Sequence, residues 1–142
     1  MQIRTNKNLR NQPKNKFKKL LLLYILKIDN GVLTVEGSTF SVLLHGIKQS
    51  GFSSTCPIVQ GNRFIYIEDS ALSLSCENVD IQNNNFSDGG DTSVILKNVS
   101  DGIIAGNNIV GNTRGTGLNI EASGNVQIMN NSIDTFVTMN MK

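Results

Sequence analysis

Val79–Ser87 reads VDIQNNNFS, with three asparagines set between Ile81 and Phe86, two residues suited to a core. A lone Asn cluster marks an ordinary turn, but this one has echoes. Leu33–Ser41 is LTVEGSTFS, Val59–Phe64 is VQGNRF, Ile104–Ile109 is IAGNNI and Ile128–Ile133 is IMNNSI. Measured at their final apolar residues, Phe40, Phe64, Phe86, Ile109 and Ile133, the segments follow one another at 24, 22, 23 and 24 residues. A fixed period of this length is the mark of a repeat array.

The columns of the repeat have separate physical meanings. Five residues before each anchor stand Val35, Val59, Ile81, Ile104 and Ile128, an apolar track with β preference. Three before it stand Gly37, Gly61, Asn83, Gly106 and Asn130, the residue types that tolerate left-handed backbone angles, so each repeat is expected to turn a tight corner there. Two before it come Ser38, Asn62, Asn84, Asn107 and Asn131. Stacked in register, the amides of Asn62, Asn84, Asn107 and Asn131 would form an internal ladder that satisfies the polar groups of a buried corner. The next column, Thr39, Arg63, Asn85, Asn108 and Ser132, is polar and variable and should face solvent.

A second apolar track with period two follows the anchors at Leu72 and Leu74, Val94 and Leu96, and Leu118 and Ile120. The first repeat fits poorly, because Lys48 falls where an apolar residue is expected. Strands that recur with tight corners and no helical segment between them predict an all-β solenoid of about four to five coils over residues 29–142, stacked at strand spacing through parallel ladders. The C-terminal coil is expected to be incomplete and to present an open edge.

These columns, Ile-x-Gly/Asn-Asn-x-Phe/Ile, resemble the right-handed parallel β-helix repeat family, which includes pectate-lyase-like and periplasmic copper-processing-like repeat proteins. The resemblance covers roughly Gly31 to Lys142 and implies the fold. Members include polysaccharide lyases, glycoside hydrolases, uronate epimerases, phage tailspikes and surface adhesins, so the resemblance leaves function open. It favours a secreted or cell-surface setting.

The remaining features bound what this chain does. With 142 residues and 39% hydrophobic content, one core is the expectation. Eight basic residues precede the first acid, Asp29, after which five basic face eleven acidic residues, a net of −6. Residues 1–28 therefore read as a basic disordered arm followed by the short apolar run Leu20–Leu26, LLLLYIL. That run is either a divergent signal or anchor, which would confine any membrane contact to residues 14–28, or a cap on one end of the array. Nothing around the arm supplies the stacking aromatics of a nucleic-acid site. Cys56 and Cys76 are expected to be two buried thiols.

A lyase of this family would need acidic residues to hold calcium and an Arg or Lys as base. Asp80 is a weak candidate for the acid, but the repeat places Ile58 and Ile103 beside it. Arg63 and Arg114 are weak candidates for the base, and neither gains an acidic neighbour from the alignment. Asp88 and Asp91 in SDGGDTS are weak candidates for calcium; an ordinary turn is the better account of them. His45 in LLHGIK lacks the companions that the Gly-His-Gly and Arg-Ile-Lys elements of the polygalacturonase-like group require. The expected function is a non-catalytic module that binds polysaccharide, a surface glycan or another β-helix segment stacked on its edge, with no cofactor. A carbohydrate-active lyase or hydrolase, and a truncated remnant without autonomous function, are the alternatives.

Overall fold

The structure, a computed structural model, describes residues 2–3, 26–28, 34–49, 51–111 and 115–141. Among them every regular element is a strand, and the ladders between these strands are parallel. The strands are β1 (Gln2–Ile3), β2 (Leu26–Ile28), β3 (Thr34–Glu36), β4 (Thr39–Gln49), β5 (Ile58–Gln60), β6 (Arg63–Ser75) and β7 (Asn78–Gln82). They continue with β8 (Asn85–Ser87), β9 (Thr92–Ala105), β10 (Asn108–Val110), β11 (Thr116–Met129), β12 (Ser132–Ile133) and β13 (Phe136–Met141).

Three stacked faces result. The first runs β1, β3, β5, β7 and the C-terminal halves of β9 and β11. The second joins the start of β4 and of β6 to β8, β10 and β12. The third joins β2 and the ends of β4 and β6 to the N-terminal halves of β9 and β11 and to β13. Each residue therefore sits above its counterpart one repeat later, as with Val35, Val59 and Ile81 or Phe40, Phe64 and Phe86.

The corner between the first and second faces shows why the sequence carries Gly or Asn there. Gly37, Gly61, Asn83, Gly106 and Asn130 all adopt positive φ, between 52° and 65°. At the next position Asn62, Asn84 and Asn107 are buried. The Oδ1 of Asn84 accepts from the backbone N–H of Asn62 at 2.9 Å and from its Nδ2 at 3.1 Å. Asn107 receives the same pair from Asn84, and Asn131 from Asn107. Each Nδ2 also donates back to the previous coil: Asn62 to the carbonyl of Val35, Asn84 to Val59, Asn107 to Ile81 and Asn131 to Ile104. Buried polar atoms are thus paired from coil to coil by one side-chain type.

Beneath the ladder lies an apolar interior. Phe40, Phe64 and Phe86 stack face to face with ring centroids 4.7 and 4.8 Å apart, the spacing of adjacent strands. Ile109 and Ile133 continue the column, the latter only partly buried. The second inward track is Ile47, Leu72, Val94 and Leu118, each at most 1% exposed.

That track corrects two sequence expectations. Ile47, not Lys48, takes the inward place in the first repeat, because β6 carries one more residue than β4 at the bend: Leu43 pairs with Ile67, but His45 pairs with Ser70. Lys48 then pairs with Ser73 on the outer side. Cys56 and Cys76 are not two thiols but a disulfide, with Cα atoms 5.4 Å apart. Ser53 bridges to Cys76 as a parallel partner, so the loop before β5 doubles back onto the end of β6 and brings Cys56 within bonding reach.

At the N-terminal end, β1 pairs with β3 and β2 with the end of β4, so Gln2–Ile3 and Leu26–Ile28 lie against the first coil. The rest of the basic arm and of the Leu20–Leu26 run lies outside the described residues, apart from Leu26 itself. No helix among the described residues is long and apolar enough to cross a membrane.

Two stability predictions follow from this packing. Asn84→Ala leaves the N–H of Asn62 and the carbonyl of Val59 without their side-chain partner in a buried corner, at about 1–3 kcal/mol each. Denaturant unfolding is expected to show a loss of about 2–5 kcal/mol for Asn84→Ala, against less than about 1 kcal/mol for the outward Asn85→Ala. Removing the disulfide by Cys56→Ser with Cys76→Ser, which opens a separation of 20 residues, is expected to cost about 2–4 kcal/mol in the same measurement.

Candidate functional site

Because the inward columns are committed to packing, chemistry has to come from outward columns and from the bends. On the outside of the first face one column reads Thr34, Ile58, Asp80, Ile103 and Gln127. Asp80 alternates outward between the buried Val79 and Ile81. Its carboxyl group is held by two amides. Gln82 Nε2 donates to Oδ1 at 2.7 Å, and Gln60 Nε2 lies 3.3 and 3.2 Å from Oδ1 and Oδ2. Gln60 and Gln82 face each other in the adjoining column. The result is a fixed Gln–Asp–Gln patch with aliphatic Ile58 and Ile103 on either side along the coil axis.

Arg63 stands on the second face, exposed, between Thr39 and Asn85. The structure therefore places it on a different face from Asp80, and Asp80 takes its hydrogen bonds from glutamines. Asn108 Nδ2 donates to Asn85 Oδ1 at 3.1 Å, so the outer side of this face carries a short amide row of its own. Arg114 lies outside the described residues.

Asp88 occupies a second left-handed corner, between the second and third faces. Its φ is 56°, and Tyr66 and Gly111, its counterparts in the coils before and after, also have positive φ at 55° and 73°. The Asp88 N–H donates to the carbonyl of Val110, and that of Asp91 to Glu68. Among the described residues no group of three or more His, Cys, Asp or Glu side chains is arranged to hold a metal ion.

The bend that shifts the register of β6 gathers a group that sequence alignment did not. His45 is buried, and its Nδ1 lies 3.0 Å from Ser70 Oγ and 3.3 Å from Asp69 Oδ2, while Lys48 Nζ lies 3.5 Å from Nε2. An ammonium only donates, so Nε2 accepts and the neutral ring carries its proton on Nδ1. Ser70 and Asp69 thus share one ring nitrogen. A nucleophilic relay needs the hydroxyl on one nitrogen and the carboxylate on the other, and Ser70 is 2% exposed. The group is a structural clamp between neighbouring coils. Burial first and Lys48 second push the His45 pKa down, with Asp69 opposing.

Gln60 and Gln82 were within reach of the alignment, since they share the column four residues before the anchors. The His45 cluster was not, because it depends on the extra residue in β6.

Inward stacks of Phe, Ile and Asn, polar outward columns and parallel faces define a right-handed parallel β-helix of about four turns. The chain belongs to the family of right handed beta helix regions, whose family model matches residues 24–137. No curated protein and no solved structure matches it.

A pH dependence comes from His45. Its folded-state pKa is lowered, so below the ordinary value of 6.5 the unfolded chain binds more protons than the folded one. The stability contributed by the neutral ring is present above that value and is lost as pH falls. Thermal unfolding followed from pH 7.5 to pH 5 is expected to show a declining midpoint, with a shallower decline in His45→Gln.

Proposed function

We propose that the chain is a binding module for a hydroxyl-rich polymer, a polysaccharide or surface glycan, which lies across the outer first face. The observation that carries this reading is the Gln60–Asp80–Gln82 patch. A carboxyl group oriented by two amides, beside aliphatic side chains, offers acceptors and donors at fixed positions to vicinal hydroxyls and an apolar strip to the sugar's C–H face. Because the amide–carboxylate hydrogen bonds already hold these side chains, little rotamer entropy remains to be lost on binding. The outward columns run along the coil axis at strand spacing, so an extended polymer meets the polar patch and then the aliphatic side chains of Ile58 and Ile103 in neighbouring coils.

The Cys56–Cys76 disulfide supports export to an oxidising compartment, where disulfides persist. A module placed at a cell surface or in a secreted assembly would meet such polymers there.

Affinity electrophoresis of the chain in gels containing neutral and acidic polysaccharides tests the proposal. At least one polymer is expected to retard migration. Asp80→Ala, which removes the carboxyl group and its bonds to the Gln60 and Gln82 amides, worth about 0.5–1.5 kcal/mol each, is expected to weaken that retention roughly tenfold while leaving the thermal midpoint within a few degrees. Unchanged migration in every polymer would reject the reading.

A further inference from the structure

Tyr66 departs from the rule that its own column sets. Tyr66, Asp88 and Gly111 occupy the second left-handed corner in successive coils, with φ of 55°, 56° and 73°. Gly suits that backbone and Asp tolerates it, but a tyrosine there is strained, because its Cβ crowds the following carbonyl. Burial does not offset the strain. Tyr66 is 61% exposed, and among the described residues its side chain makes no hydrogen bond, ion pair or ring stack. A strained residue whose ring is left outside is the kind of outlier that marks a functional position.

Its neighbours define what the ring can meet. Ile65 pairs with Ser87, so Asp88 lies beside Tyr66 at strand spacing in the next coil. The N–H of Asp91 donates to the carbonyl of Glu68, which sets Asp91 beside Glu68 in the same way. Glu68, Asp88 and Asp91 are all exposed. One coil further on, the matching places hold Gly111 and Gly115, and Gly115 approaches the Asp91 carbonyl so closely that a Cβ would clash. The ring therefore shares a four-sided patch with three carboxylates, bordered by backbone that carries no side chain. Residues 65–69, 87–91, 110–111 and 115, the described residues of this corner, include no Lys or Arg.

We propose that this patch is a second binding site, separate from the Gln60–Asp80–Gln82 patch and not dependent on it, for a polysaccharide that carries free amino groups. The carboxylates and the electron-rich face of the phenol all attract a cation. They repel phosphates and uronates, which sets nucleic acids and acidic glycans aside. A protein partner would need an apolar surround that keeps water from the anchor, and here exposed acids and glycine surround the ring. An amino sugar needs none: its C–H face covers the phenol, its ammonium group meets a carboxylate, and its remaining hydroxyls stay in water.

The test uses the full chain and two glucosamine oligomers of equal length, one with free amino groups and one fully N-acetylated. The chain has two tyrosines, Tyr24 and Tyr66, and no Trp, so after Tyr24→Phe the tyrosine emission reports Tyr66 alone. The free-amine oligomer is expected to change that emission saturably, with an affinity that falls as salt is added and exceeds that of the acetylated oligomer roughly tenfold. Tyr66→Gly, measured by calorimetry, is expected to bind the free-amine oligomer roughly five- to tenfold more weakly. Its thermal midpoint is expected to equal or exceed that of the unsubstituted chain, because the strain is gone. Tyr66→Phe keeps the ring and is expected to bind within about threefold of the unsubstituted chain. Asp80→Ala is expected to leave this binding unchanged. A lowered midpoint or failure to fold in Tyr66→Gly would make the tyrosine a structural element and overturn the proposal. So would equal binding of the two oligomers, binding of oligolysine as tight as that of the amino sugar, or loss of binding in Asp80→Ala with none in Tyr66→Gly, which would assign the oligomer to the first face.

Discussion

The hydrogen-bonded column of asparagines is the constraint on which the other features depend. A parallel coil must turn, and a turn whose backbone is buried under the next coil carries N–H and C=O groups that strand pairing does not reach. Asn can serve both: its Oδ1 accepts from the coil before it, and its Nδ2 returns a bond to that coil's carbonyl. The arrangement works only when the same residue recurs at the same place in the next coil. It therefore fixes register, and once register is fixed the inward side chains have to stack by type. The Phe40–Phe64–Phe86 column and the aliphatic track are consequences of that alignment as much as causes of it.

Coupling of this kind is strictly between neighbours. Each coil's polar and apolar needs are met by the coil on either side and by nothing further away, so stability is transmitted along one dimension. Interior coils are satisfied twice, and a terminal coil once. Asn131 donates to Ile104 and accepts from Asn107, but its own backbone N–H has no described side chain from a following coil. Ile133, Val137 and Met139 likewise sit in columns whose earlier members are buried. Their exposure follows from their place in the stack, because among the described residues no later strand lies over β12 or β13.

The same periodicity explains what could be read without coordinates. The left-handed corner was visible because Gly and Asn are nearly alone in tolerating it, so the constraint leaves a signature in residue type. The second corner left none that could be trusted. It is occupied by Tyr66, Asp88 and Gly111, and a tyrosine at positive φ cannot be anticipated from its identity. Lys48 misled for a related reason, since counting from the anchor assumes equal arc lengths, whereas β6 takes one extra residue round the bend. The disulfide was missed because sequence spacing gives the distance along the coil and not the path of the Ser53–Pro57 loop, which doubles back over β6.

Function faces the opposite statistics. Inward positions are restricted by packing and ladder geometry, so they repeat and reveal the fold; outward positions are released from those demands, so they vary and reveal little. Thr39, Arg63, Asn85, Asn108 and Ser132 share one column and hardly share a property. A site on such a surface is recognisable only when outward residues from separate coils are seen to hold one another, as Gln60 and Gln82 hold Asp80. That contact links two adjacent columns and two successive coils, and it needs the register supplied by the buried asparagines. The ladder inside thus positions the patch outside: Asn62 and Asn84 lie two residues after Gln60 and Gln82, and the bond from Asn62 to Asn84 fixes the offset at which both glutamines reach one carboxyl group.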